Sequence, residues 1–140
     1  VLLGGPDEIQ KNMEIARGLP VIDSTDTKGL RDGVISLNAC DVIFTGDTLG
    51  MHLGIALQKW VVAWFGPTCA QEVDLYDRGE KIFTHASCSP CWKRDCSYQP
   101  MCYDQVDLSD CLRAIQKGSQ WKYSSSKQLS SETPSLPSPC

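Results

Sequence analysis

Apolar residues in this chain fall into short continuous runs separated by stretches with helical spacing. Val1-Leu2-Leu3 runs into Gly4-Gly5-Pro6, which predicts a strand and a tight turn. A helix opening at Asp7 or Glu8 carries Ile9, Met13 and Ile15 or Ala16 on one face, and Gly18 closes it as a C′ glycine. Val21-Ile22 is a brief strand, and the polar residues 23–28 form a loop. Leu30, Val34 and Leu37, widened by Ile35, predict a second helix to about Ala39. Asp41–Thr45 reads as a buried strand, Gly46–Gly50 as a loop and Met51–Leu57 as a short helix. Trp60-Val61-Val62-Ala63-Trp64-Phe65 is a second buried strand, stopped by Gly66-Pro67. Strands that are apolar throughout and alternate with helices imply an α/β fold, a Rossmann-like parallel sheet with helices on both faces.

Beyond Thr68 the pattern loosens into a Cys-rich region, after which Leu108–Lys117 reads as a helix with Leu112 and Ile115 inward. From Ser119 serine, proline and lysine dominate, so residues 1–118 form one domain and 119–140 a disordered tail. A single domain suits 140 residues with 41% hydrophobic and 21% charged content. A net charge of -4 argues against a nucleic-acid partner, which needs a basic stripe. The start at Val1 lacks the basic and long apolar regions of a signal peptide, and reads as a strand met in mid-fold. Without an export signal, the eight cysteines read mostly as reduced thiols of a cytoplasmic protein.

Ligands of open α/β sheets sit beyond the carboxyl ends of the strands. Three loops leave such ends here, Gly4–Glu8, Gly46–Gly50 and Gly66–Thr68. Glycine lets backbone N–H groups approach a ligand, and helix starts favour anions, so the set suggests a diphosphate site. Glu8 is either a ribose ligand, accepting from both hydroxyls, or a first-turn acid that complements the helix dipole. Asp47 and Thr48 have the ordinary alternative of N-caps for the Met51 helix. His52, one turn in, is either a donor to phosphate or a half-buried histidine. No Asp-x-Asp occurs, and Asp23-Ser24-Thr25-Asp26 has the wrong spacing for that metal-holding motif. Charge on a leaving group would then fall to helix ends and side chains.

Cys88, Cys91, Cys96 and Cys102 give Cys-x2-Cys-x4-Cys-x5-Cys on an irregular segment. Four thiolates suit tetrahedral zinc, and Lys93 and Arg94 beside them favour thiolates. The alternative is a set of reduced or partly paired thiols packing a loop against the sheet. Cys40, Cys69 and Cys111 read as small core residues and Cys140 as incidental.

In order, Leu2-Leu3-Gly4-Gly5-Pro6-Asp7-Glu8, Asn12-Met13-Glu14-Ile15-Ala16, Cys40–Thr48, Met51-His52-Leu53, Ala56-Leu57 and Phe65–Thr68 form a familiar set. Over residues 1 to about 115 the chain resembles the C-terminal domain of glycosyltransferase family 9, the lipopolysaccharide heptosyltransferases. The run from Cys88 to Cys96, with Met101-Cys102 after it, also looks like a segment of many members. The resemblance implies the C-terminal half of a two-domain GT-B enzyme, binding a nucleotide sugar, typically ADP-heptose, without a metal. It implies that Gly4, Gly5, Glu8, Asp47, Thr48, Gly50 and His52 bind the donor, with Glu8 on the ribose and Asp47, Thr48 and His52 around the diphosphate and sugar. Transfer would invert the anomeric centre and deliver the sugar to a lipopolysaccharide or other glycan acceptor.

The family's general base lies in the N-terminal half, so this chain is expected to lack catalytic residues and to be inactive alone. A basic phosphate-binding residue would also precede Val1. A lipid-linked acceptor implies work at the inner face of the cytoplasmic membrane. Members usually read Asp-Thr-Gly where this chain has Asp47-Thr48-Leu49-Gly50, which opens the identity of the donor. Two readings stand beside the first: a related enzyme using a UDP-sugar, and a non-catalytic metal-binding or interaction module on a Rossmann-like scaffold.

Overall fold

The computed structural model describes residues 1–25 and 29–129, and side chains as far as Trp121. A three-stranded parallel sheet of order β1-β2-β3 forms its centre, built from β1 (Val42–Gly46), β2 (Trp60–Phe65) and β3 (Gly79–Phe83). β2 pairs on both edges, with Val62 opposite Phe44 on one side and Glu80 on the other. Its uniformly apolar sequence follows from that position, because alternate residues enter two different cores. Val61, Ala63 and Phe65 pack with Met51, Ala70 and Leu75. Trp60 and Val62 face the other way, against Ile82, Cys111 and Ala114. Met51 belongs to α3 (Leu49–Ala56), which covers the first face, and Cys111 and Ala114 to α4 (Leu108–Leu129), which covers the second. Met51, Val61 and Val62 are fully buried, each worth roughly 1.5–3 kcal/mol of apolar transfer. The helix-covered parallel sheet anticipated from the alternation is therefore present.

The C-terminal elements differ from the sequence reading, and Leu112, expected on the inner face of α4, is exposed. β3 lies in the region where the apolar pattern loosens, because Glu80 and Lys81 interrupt it. Their long side chains bond outward, Glu80 with Lys117 at 2.6 Å and Lys81 with the Ala70 carbonyl at 2.8 Å. α4 runs past Lys117 to Leu129, so residues 119–129, read as tail, are helical. Gly118 stands inside the helix because the Trp60 ring occupies the space a Cβ would need there, and Trp121 packs on the same ring at 5.7 Å. Residues 130–140, the rest of the expected tail including Cys140, lie outside the described residues.

The N-terminal segment is built differently. The expected strands at Val1–Leu3 and Val21–Ile22 reduce to one parallel bridge, Leu2 to Asp23, with Leu2 N–H donating to Ile22 and Ser24 N–H to Leu2. A 3-10 turn, Pro6–Glu8, leads into α1 (Ile9–Ala16), and Gly18 follows at φ +77° as the expected C′ glycine. Asn12 is the sole buried residue of 1–25, whereas Met13 and Ile15, expected on the inner face, are exposed. α2 (Leu30–Asn38) buries Leu37 and delivers the chain to β1. No helix among the described residues is long and apolar enough to cross a membrane.

Candidate functional site

β1 ends at Gly46, and the chain turns through Asp47-Thr48 into α3. Thr48 is the N-cap residue in extended conformation, but its hydroxyl caps no N–H. It pairs instead with the Thr45 hydroxyl at 3.0 Å, and Thr45 also donates to the Gly46 carbonyl at 3.1 Å. The Thr48 side chain therefore does not cap α3; the Met51 N–H bonds the Thr48 carbonyl at 3.1 Å, which leaves the Leu49 and Gly50 N–H groups and the helix dipole toward the turn.

Across from this turn stands Gly4–Glu8. Glu8 Oε2 accepts from Gly5 N–H at 2.7 Å, the half of a capping box that a glycine N-cap allows, with Pro6 at the first helical position. Gly4 must lack a side chain, since a Cβ would lie 2.8 Å from Glu8 Cβ and 3.0 Å from Asn12 Nδ2. Asn12 fixes the turn from below, donating to the Leu3 carbonyl at 3.3 Å and to Thr25 Oγ1 at 2.7 Å. Thr25 in turn donates to Asp23 from its hydroxyl and its N–H, at 2.6 and 2.9 Å, which holds the Asp23 carboxyl below the usual range. The Asp23–Thr25 loop thus supports the glycine turn. Asp26, Thr27 and Lys28 lie outside the described residues.

The two turns face one cleft of about 720 Å³. Gly4, Gly5, Glu8, Thr48 and Gly50 all line it, with Thr45 and Leu49 between them and an apolar wall that includes Leu30, Leu37 and Phe44. Five of the sequence-derived site residues therefore come together. Asp47 and His52 do not line the cleft; they face each other, Oδ1 to Nε2, at 3.9 Å, with the His52 side chain largely exposed. Among the described residues no lysine or arginine lines the cleft.

Thr45, Trp64 and Tyr103 were not singled out in the sequence. Thr45 was hidden inside an apolar strand, although a hydroxyl just before a Gly-Asp-Thr turn is a usable signal. Trp64 carries an aromatic ladder, with Phe44 edge-on at 5.9 Å and Tyr103 stacked at 5.1 Å. Tyr103 comes from the Cys-rich region and lies over Gly66, where a Cβ would sit 2.8 Å from its ring. Burial, then Cys102 and Asp47, push its phenol upward. The third glycine loop, Gly66–Thr68, is thereby covered. Ser89 donates to the Gly66 carbonyl at 2.5 Å, and the N–H groups of Cys91 and Trp92 donate to Pro67 at 3.0 and 2.8 Å.

The seven cysteines among the described residues are unpaired, with Cys111 buried and Cys40 and Cys69 half-buried. Cys88, Cys91, Cys96 and Cys102 line a second cavity of about 670 Å³, together with Lys93 and Arg94. Burial chiefly, and the Cys96, Cys91 and Cys88 thiols beside it, push the Cys102 thiol up. Among the described residues no three His, Cys, Asp or Glu side chains stand in metal-holding geometry in this conformation.

A parallel α/β layer with a glycine turn and a helix start beside the carboxyl end of β1 is an arrangement in which ligands of open sheets commonly sit. The profile of glycosyltransferase family 9 (heptosyltransferase) matches residues 2–102, and the chain belongs to that family. It is a glycosyltransferase chain, of a family that takes sugar from a nucleotide-sugar donor to a glycan acceptor. No curated protein and no solved structure matches it.

Proposed function

We propose that the 720 Å³ cleft holds the donor of a heptosyltransferase, with the diphosphate between the Gly4–Glu8 turn and the start of α3. The observation that carries this reading is the meeting of those two turns across one cleft while no side chain caps α3. Backbone N–H groups and the helix dipole favour the anion, and the apolar wall of Leu30, Leu37 and Phe44 suits a nucleobase. The donor is ADP-heptose and transfer is inverting and metal-independent, to a lipopolysaccharide core acceptor at the inner face of the cytoplasmic membrane. Glu8 meets the ribose through the carboxylate oxygen not engaged by Gly5. The Asp47–His52 pair stands at the cleft rim toward the sugar. On this reading the general base and the acceptor site belong to the other half of a GT-B enzyme, across the cleft from the donor.

Calorimetry with ADP and UDP tests this. ADP is expected to bind and to outcompete UDP. Gly50→Val, whose Cβ would make only ordinary contacts at 3.5 Å, should weaken ADP at least about tenfold while leaving the fold intact. Absence of ADP binding by the folded chain would overturn the reading, and preference for UDP would transfer it to a UDP-sugar enzyme.

A further inference from the structure

Between Phe83 and Cys102 the chain forms neither helix nor strand, and no residue of 84–101 is buried. Long irregular segments of this kind need some other source of order, because they bury too little to offset the entropy of fixing them. A few hydrogen bonds tie this one down at its edges, from Ser89, Cys91 and Trp92 to Gly66 and Pro67, and from the Thr84 hydroxyl to the Cys102 carbonyl at 2.5 Å. Its middle, Lys93–Pro100, is exposed throughout.

Four thiols are nonetheless distributed so that they all border one cavity. Cys88 and Cys91 enter it from one side of the loop, Cys96 from its middle and Cys102 from the turn that carries Tyr103. All are unpaired, and all four border the same cavity. The remaining described cysteines, Cys40, Cys69 and Cys111, do not border this cavity.

We propose that Cys88, Cys91, Cys96 and Cys102 bind a single zinc-class ion that draws residues 84–101 inward into one fixed loop. Tetrahedral thiolate coordination at about 2.3 Å per Zn–S bond requires the four sulfurs to approach one another from their present positions. The lack of buried side chains between them leaves the loop free to make that approach. Its free energy of binding becomes ordering energy for the loop, as in small metal-stabilised units. The ion is structural: four thiolates close its coordination sphere, and it stands apart from the cleft bordered by Gly4 and Thr48.

The test uses the whole chain purified without oxygen, stripped with chelator and then titrated with Zn²⁺ or Co²⁺. One ion per chain is expected, with thiolate-to-cobalt charge-transfer bands in the Co²⁺ form and slowed amide exchange across 84–101 on metal binding. Cys88→Ser and Cys96→Ser, both at exposed positions, should each weaken Zn²⁺ by more than the ~10–100-fold typical of outer-shell changes. Cys40→Ser should leave it unchanged. Substoichiometric zinc without charge-transfer bands, an iron–sulfur chromophore, native disulfides among the four, or equal loss in Cys40→Ser would each overturn the proposal. ADP binding is measured separately, so failure here leaves the donor reading untouched, and the reverse.

Discussion

β2 and the N-terminal run look alike in sequence, yet the fold treats them oppositely. Trp60–Phe65 ends in Gly66-Pro67, and Val1-Leu2-Leu3 ends in Gly4-Gly5-Pro6. β2 has five of six residues buried, a ladder on each edge and a helix on each face. Leu2 has one bridge, to Asp23, and Val1 is 62% exposed. An apolar run therefore specifies an extended chain, while its neighbours decide whether it becomes core. The difference also divides the cleft. Its α3 wall is anchored through Met51 in the first core, whereas its Gly4–Glu8 wall rests on hydrogen bonds of Asn12. With so few buried contacts, the second wall is expected to open locally at lower free energy than β2.

The largest contrast is expected from two methionines. Met51→Ala removes a fully buried side chain and should cost ~2–5 kcal/mol in urea unfolding, whereas Met13→Ala, at 58% exposure, should stay within ~0.5 kcal/mol. Equal effects would abolish the distinction between a packed and a tethered region. A smaller loss, about 1–3 kcal/mol, is expected from Asn12→Ala, which leaves the Leu3 carbonyl and Thr25 without their donor. This variant should also weaken ADP, because the Gly4 turn loses its support. Unchanged ADP affinity would separate the turn from the site.

The smallest effect concerns the start of α4, where Asp107 accepts from Ser109 N–H at 2.8 Å. That bond, with the Ser109 side chain, holds its carboxyl below the usual value. A depressed folded pKa means the carboxylate's stabilisation is present above the ordinary Asp range, near ~3.9, and lost as pH falls through the folded value. Asp107→Asn should therefore lower Tm slightly at neutral pH, and the gap should close in acid. A gap independent of pH would assign the effect to something other than charge.

Much of the central sheet was legible because β1, β2 and α3 carry uninterrupted apolar signals. β3 was not, since Glu80 and Lys81 mask a strand whose polar ends bond to α4 and to Ala70. The length of α4 was hidden by Gly118, which weakens helical propensity and is present because Trp60 fills its space. Of the site, the glycine turns and Thr48 could be read from their positions after apolar runs. That Asp47 and His52 turn toward each other beside the cleft depends on the local geometry of the α3 start, whereas Tyr103 covering Gly66 is a product of long-range packing that no local pattern encodes.

The donor cleft itself is most directly tested by amide NMR of the chain titrated with ADP. The account predicts the largest shifts at Gly4, Gly5, Thr48, Leu49 and Gly50, with residues 86–105 unmoved. No saturable shifts, or shifts confined to the cavity bordered by Cys88 and Cys102, would contradict it.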